Sequence, residues 1–262
     1  MKILVIMGSP RKGNTYQAAS DIEDAMKLQG DVEFEYLMLK DADIAHCRGC
    51  FLCFSKGEEY CPNKDDAPAI EQRMYEADGV IFATPVYGMN VSGLLKTFID
   101  RFSYLFHRPR FFNKYALLLT TAGAVGTKDV LRYLDMVAMV WGFDVVGKVG
   151  LITPPMNFHE SLRTRNKREL TEAANTFYTA ITVGKRRSPR FMEVMTFHFQ
   201  RGSFDELRED SPVDYEYWKE RGWMEKGRNY FVDVPVNPFF HFTGLIGEWF
   251  IRRQVRKTRR EQ

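Results

Sequence analysis

The sequence predicts an α/β protein built on a doubly wound, five-stranded parallel sheet. Three observations lead there: apolar runs of strand length recur, they read apolar throughout instead of alternating, and helix-length segments separate them. Strands that are apolar on both faces belong in a sheet covered by helices on both sides. At 262 residues the chain can form one large domain, or a domain with a substantial extension.

The first strand is expected at Lys2–Met7, and Gly8 opens a turn directly after it. A helix over Thr15–Leu28 and a weaker strand at Val32–Leu39 follow. The segment Asp41–Lys64 then interrupts the rhythm. It is too long for an ordinary connection and has little periodicity, which marks a functional insertion, and all four cysteines lie in it. Asp65 and Asp66 read as caps of a helix over Ala67–Ala77. A strand at Gly79–Ala83 precedes a helix over Ser92–Phe106, on which Lys96, Asp100 and Arg101 read as a solvated or ion-paired face. Strands at Tyr115–Thr120 and Val145–Ile152 flank a helix over Lys128–Trp141, and a helix over Glu160–Val183 closes the pattern. Five strands in this rhythm suggest the flavodoxin-like arrangement, assigned to residues 1–184.

The basic turn "KRRSPR" ends the regular pattern, and an aromatic C-terminal extension, 185–262, follows. Ser211-Pro212 signals a helix start. The extension is too aromatic for disorder and short for a core of its own, so it is expected to pack on the first domain or on a second subunit, as in a homodimer or homotetramer. Six Arg/Lys between Arg252 and Arg260 follow the aromatic "FFHFTGLIGEWF". Such a tip could meet a membrane surface, but the extension's length and prolines favour a partner subunit. His107, His159, His198 and His241 show no ligand spacing and are assigned packing or surface roles.

Composition narrows the function. Hydrophobic residues at 45% and charged residues at 27% are those of a globular chain, and a net charge of +3 argues against nucleic acid as the main partner. No apolar run is long enough to cross a bilayer, and the N-terminal apolar stretch is too short for a signal peptide. A cytoplasmic setting follows, where structural disulfides are rare.

"GSPRKGNT", Gly8 to Thr15, lies between the first strand and the first helix. Open backbone N–H groups and the positive helix end suit a phosphate monoester there, although a plain polar turn has the same residues. It matches neither the dinucleotide fingerprint nor the nucleotide-triphosphatase loop. Loops "ATPVYGMN" and "TTAGAVGT" follow the third and fourth strands, and ligands of open parallel sheets bind beyond such carboxyl ends. Tyr87 could lie against a flat ring, with Gly88 admitting close backbone approach. Together the three loops favour a flat phosphorylated cofactor, and FMN fits best.

"GSPRKGNT", the C-x2-C-x2-C run before "DD", and "TPVYGMNVSGLLKTFIDR" together resemble the iron–sulfur flavoproteins within the NAD(P)H-dependent FMN reductase superfamily. The resemblance covers roughly Met1 to Val183. It implies a flavodoxin-like fold, with the FMN phosphate on Ser9, Arg11, Lys12, Gly13, Asn14 and Thr15. It sets Thr84, Pro85, Val86, Tyr87, Gly88 and Met89 against the isoalloxazine ring, bordered by Thr121, Ala122 and Gly123. It maps the ligands of a [4Fe–4S] cluster onto Cys47, Cys50, Cys53 and Cys61, the last after a longer gap than in those relatives.

The spacing itself is consistent with such a cluster. C-x2-C-x2-C brings three thiolates around one tight turn, and Cys61-Pro62 supplies the C-P ending of a bacterial ferredoxin run. Zinc sites more often use separated C-x2-C pairs or histidines, and His46 would strain to join; zinc or free thiols remain the alternatives. No side-chain triad or carboxylate pair is evident, so the chemistry is assigned to the cofactors. The expected activity is oxidoreduction, with NAD(P)H or a reduced carrier as donor and a small molecule or protein as redox partner. A plain quinone, azo or nitro reductase without a cluster and a non-enzymatic electron-transfer protein are the alternatives.

Overall fold

Five strands pair in parallel in the order β2-β1-β3-β4-β5: β1 Lys2–Met7, β2 Glu33–Met38, β3 Gly79–Pro85, β4 Tyr115–Ala122 and β5 Asp144–Ile152. This is the flavodoxin-like order, with its switch point between β1 and β3. The structure is a computed structural model that describes residues 1–156 and 159–260. The last two residues of the sequence-assigned extension, Glu261 and Gln262, lie outside the described residues. The chain divides into two compact units.

The first unit is Met1–Cys47, Asp65–Phe102 and Asn113–Lys185. Every residue of β3 and β4 is buried, as their unbroken apolar runs require of central strands. On one face Ile3, Val5, Ile81, Leu117 and Leu119 pack with Ala19 and Ile22 of α1 (Asn14–Lys27) and with Leu170 and Phe177 of α6 (Glu160–Val183). α3 spans Ala67–Glu76, α4 Gly93–Arg101 and α5 Thr127–Trp141. Phe82 of β3 meets Trp141 of α5 edge-on at 6.1 Å, and Phe98 of α4 meets the same indole at 5.9 Å. β2 is an edge strand, and its partly exposed Glu35 pairs with Lys2 and Arg73.

Local differences from expectation have local causes. β3 and β4 run two residues further than their apolar runs, because Thr84 pairs with Thr120 and Pro85 with Thr121. α4 stops at Arg101 instead of Phe106, where the Phe102 N–H is shared between the carbonyls of Phe98 and Ile99.

The second unit is Arg48–Lys64, Ser103–Phe112 and Arg186–Gln262. The extension therefore clusters with most of the cysteine insertion and with ten residues that follow α4. It holds α7 Phe191–Glu206, α8 Pro212–Glu220 and α9 Pro238–Arg260, while the insertion contributes the short α2, Leu52–Ser55. The expectation that the extension lacks a core is corrected: Phe197, Phe204, Trp218, Trp223, Tyr230 and Phe231 form one, with Phe112 against it. Few but large aromatic side chains make this possible, and both core indoles are satisfied, Trp218 donating to the His107 carbonyl and Trp223 to that of Phe231, each at 2.8 Å.

α7 and α9 pack through a buried polar cluster. Glu248 accepts from Arg201 at 2.5 Å and lies 2.9 Å from His198 Nδ1, while His198 Nε2 is 3.2 Å from His241 Nδ1. His198 and His241 thus have packing roles, as assigned. The opposite side of α9 leaves Phe239, Phe242, Ile246, Trp249 and Phe250 exposed.

Candidate functional site

The carboxyl edge of the sheet carries a cleft of about 220 Å³, lined by the loops after β1, β3, β4 and β5. Gly8 anchors it. Its N–H donates to the Ala83 carbonyl at 2.7 Å, and its own carbonyl accepts from Ser92 Oγ at 2.6 Å. A side chain at Gly8 would come within 2.9 Å of Leu95 Cβ and Ser92 Oγ, so only glycine fits this approach. Ser92 also caps α4, accepting from the Leu95 N–H at 3.2 Å.

Beyond Gly8, the buried Ser9 hydroxyl donates to the Arg11 carbonyl at 2.8 Å and shapes the loop. α1 then begins at Asn14, after the N-cap Gly13, with no side-chain cap and no acidic residue in its first turn. Its leading N–H groups have no intrahelical acceptor, and the helix end is electropositive with Arg11 and Lys12 nearby. An uncapped helix start of this kind fits a phosphate dianion.

The loop after β3 makes a tight turn in which Tyr87 and Asn90 exchange backbone hydrogen bonds of 2.9 and 3.0 Å. Gly88 and Met89 between them have φ of 54° and 64°. Two successive left-handed residues hold Tyr87 and Met89 exposed at the tip. The Val86 N–H donates to the Thr121 carbonyl at 2.8 Å, which draws this loop onto the end of β4.

Of the residues assigned from sequence, Ser9, Arg11, Gly13, Asn14, Thr15, Pro85, Val86, Tyr87, Thr121, Ala122 and Gly123 line the cleft. Lys12, Thr84, Gly88 and Met89 are not among its lining residues. Lys12 lies 5.1 Å from the Tyr16 ring centre, and the buried Thr84 hydroxyl accepts from the Ser92 N–H. The Thr15 hydroxyl is also engaged, 2.6 Å from that of Thr121, so Thr15 fastens α1 to β4 and offers the cleft its backbone. Thr153 and Pro155 line the cleft unanticipated. They follow β5, and the carboxyl-edge rule applied to that strand would have found them.

The cysteine segment lies in both units: Cys47 ends the first segment of the sheet unit, and Cys50, Cys53 and Cys61 belong to the second. Cys47 and Cys50 are exposed, and Cys53 and Cys61 are half-buried. The backbone turns left-handed at Gly49 and at Phe51, on either side of Cys50. No three His, Cys, Asp or Glu side chains among the described residues are gathered as a metal site. The donor set itself, four soft thiols within fifteen residues, suits an iron–sulfur centre.

Asp66 is the N-cap of α3 but makes no side-chain capping bond, its carboxylate accepting instead from the Asp43 N–H, and Asp65 has a different role from the cap expected. It accepts from the N–H groups of Ala45 and Ala67 and from Arg101 at 2.8 and 3.0 Å. Burial would raise this carboxyl, but the Arg101 guanidinium and the two amides outweigh it and hold it below the ordinary range. Arg101 is accordingly buried, and its assignment to a face that is solvated or ion-paired resolves to the ion pair.

Comparison with known proteins points the same way. Residues 1–154 match the family model described as NADPH-dependent FMN reductase. An iron–sulfur flavoprotein of Archaeoglobus fulgidus is 32% identical over 232 residues, 86% of this chain and 100% of its own length. One from Clostridioides difficile is 33% identical over 156 residues, 58% of this chain and 68% of its own length. Among solved structures, RosB, determined with bound 8-demethyl-8-formylriboflavin-5′-phosphate, superposes with a TM-score of 0.59 at 15% identity, covering 90% of this chain and 92% of that one. This last likeness is one of fold.

Proposed function

Because the chain belongs to the NADPH-dependent FMN reductase family, and within it to the iron–sulfur flavoproteins, we propose that its sheet-edge cleft holds FMN and that Cys47, Cys50, Cys53 and Cys61 hold a [4Fe–4S] cluster. The protein is an FMN-dependent oxidoreductase. The observation that carries the FMN site is the uncapped start of α1 in a cleft walled by four carboxyl-edge loops.

Bound there, FMN would supply hydride acceptance and single-electron release, and a cluster would pass electrons one at a time. The chain's own residues bind and orient. The first amides of α1 and Arg11 hold a phosphate, and Asn14 adds a side-chain donor. Pro85, Val86 and Tyr87 present an apolar wall with the tyrosine ring at its rim. Thr121, Ala122 and Gly123 border it with backbone groups. A cleft of about 220 Å³ is smaller than the ~300–1,000 Å³ of enclosed ligand sites, which suits a cofactor gripped by one end with its ring open to a partner. The electron donor is NAD(P)H or a reduced carrier, and the acceptor a small molecule or a redox protein.

No described helix is long and apolar enough to cross a membrane. We assign the protein to the cytoplasm, where the four thiols stay reduced, and to a homodimer or homotetramer. The unpartnered apolar side of α9 supports self-association.

The test is anaerobic purification followed by flavin, iron and sulfide analysis and a visible spectrum before and after reductant. About one FMN, with about four irons and four sulfides per chain, is expected. Flavin without iron, even after reconstitution with iron and sulfide, would return the protein to the plain quinone, azo or nitro reductases. Absence of flavin with tight binding of FAD or ATP would overturn the cleft assignment. Turnover of NADH or NADPH with a quinone separates an enzyme from a pure electron carrier.

A further inference from the structure

Arg108 of the second unit is 1% exposed, and it touches two other segments of that unit. One guanidinium nitrogen pairs with Asp214 of α8, itself fully buried. The other donates to the backbone carbonyl of Cys53 at 2.6 Å and to Glu58 at 2.9 Å. Arg110 pairs with the second oxygen of Glu58. Neighbouring groups brace the same stretch: His107 Nδ1 lies 2.6 Å from Asp214, Tyr217 donates to the Pro109 carbonyl at 2.7 Å, and the His107 ring lies 4.3 Å from that of Phe54.

A buried guanidinium between carboxylates is expensive to desolvate, and a hydrophobic replacement of equal volume is often as stable or more so. Stability alone therefore does not account for it. What an apolar side chain could not do is hold the Cys53 carbonyl. Glu58 and the Cys53 carbonyl lie within the long gap between the third and fourth cysteines, and Asp214 lies in the extension, so one side chain ties the cysteine loop to α8.

We propose that Arg108 is a positioning residue for the metal centre: with Glu58 and Asp214 it pre-orders the loop bearing Cys50, Cys53 and Cys61, and its charge helps set the centre's reduction potential. The inference rests on the cluster reading for the potential, but not for the ordering of the loop. The signs of the electrostatic effect follow from charge. Arg108→Gln removes a positive charge from between two carboxylates beside the loop, which disfavours adding an electron. Asp214→Asn leaves excess positive charge, which favours it.

The experiment compares wild type, Arg108→Gln, Arg108→Lys, Asp214→Asn and Glu58→Gln as full-length chains, with FMN content and near-UV circular dichroism confirming that each folds. In iron-free protein, alkylation by iodoacetamide is followed at each cysteine by peptide mass mapping, with Cys47 as the internal reference. Arg108→Gln is expected to speed modification of Cys53 about fivefold or more, as the loop opens locally. Arg108→Lys, which keeps the charge, should restore part of the protection. In reconstituted protein the cluster potential should fall in Arg108→Gln and rise in Asp214→Asn. A general loosening of the fold would not move the two in opposite directions. Unchanged alkylation in every variant, or potentials that move the same way, would overturn the proposal. If Arg108→Gln does not fold, Glu58→Gln and Asp214→Asn decide it by the same readouts. If wild type takes up no iron the cluster reading fails, and the alkylation rates still decide whether Arg108 orders the loop.

Discussion

Asn14 and Thr15 are adjacent in sequence and differ in what they do. Asn14 is exposed at the mouth of the cleft, whereas Thr15 is buried against Thr121. Asn14→Leu should therefore weaken FMN binding, by up to about 1.5–3 kcal/mol for a bond to a charged phosphate, with little change in folding stability. Thr15→Val should instead destabilise the fold by roughly 1–3 kcal/mol, because it strands the Thr121 hydroxyl. Flavin titration and urea unfolding of both variants separate the two, and equal losses of stability would show that Thr15 is not the fastener described. Glu248 gives a pH signature. Burial would raise its carboxyl, but hydrogen bonds from His198, Arg201 and Arg252 hold it at about 2 against an ordinary 4.5. A depressed carboxyl contributes stability above pH 4.5 and loses it as pH falls toward 2, here roughly 3 kcal/mol in all. His241, held below 6.5 by burial and by the charges of His198 and Arg201, acts in the same direction from pH 6.5 downward. Unfolding midpoints across this range should drop steeply in wild type. Glu248→Gln should be weaker at neutral pH, with a flatter acid limb. Parallel limbs would remove Glu248 from the account.

Among the elements, α9 is the least satisfied by its own unit. Its Glu248 and His241 side meets α7, while Phe242, Ile246, Trp249 and Phe250 are more than half exposed. Apolar side chains at this spacing form one stripe along a helix. Phe242→Glu with Trp249→Glu should lower the assembly state by light scattering and leave FMN content unchanged, since the cleft is built wholly from the sheet unit. A wild-type protein that is monomeric at micromolar concentration would end the self-association reading. The regular elements were legible because each follows from a local pattern: α6 spans Glu160–Val183 as its periodicity indicates, and β1 matches its apolar run residue for residue. α8 begins at Pro212 as the Ser-Pro signal indicates, although the Ser211 side chain makes no capping bond. α7 was not legible, because its buried residues include Glu193, His198 and Arg201, polar side chains that a hydrophobic pattern leaves out.

For the molecule as a whole, every cleft residue belongs to the first unit, whereas three of the four cysteines belong to the second. Cys50→Ser or Cys53→Ser should remove most of the iron, since an alkoxide is a poor substitute for a soft thiolate. FMN should stay near one per chain, because no cleft residue belongs to the second unit. Loss of both cofactors together would argue that the centres are built as one. Deleting residues 189–262 should cost solubility and iron uptake, because it takes Asp214 from Arg108, and Trp223 and Phe231 from Phe112. The sequence by itself determined the sheet, its helices, the carboxyl-edge loops and the spacing of the thiols. Each of these rests on periodicity or on neighbours a few residues apart, which a linear chain displays directly. Tertiary structure alone decided that Thr15 answers Thr121 across 106 residues, that Arg108 joins Cys53 to Asp214, and that the extension packs its core against Phe112 and clusters with segments 48–64 and 103–112. Such pairings depend on which distant side chains burial forces to satisfy one another, and no local pattern encodes that choice.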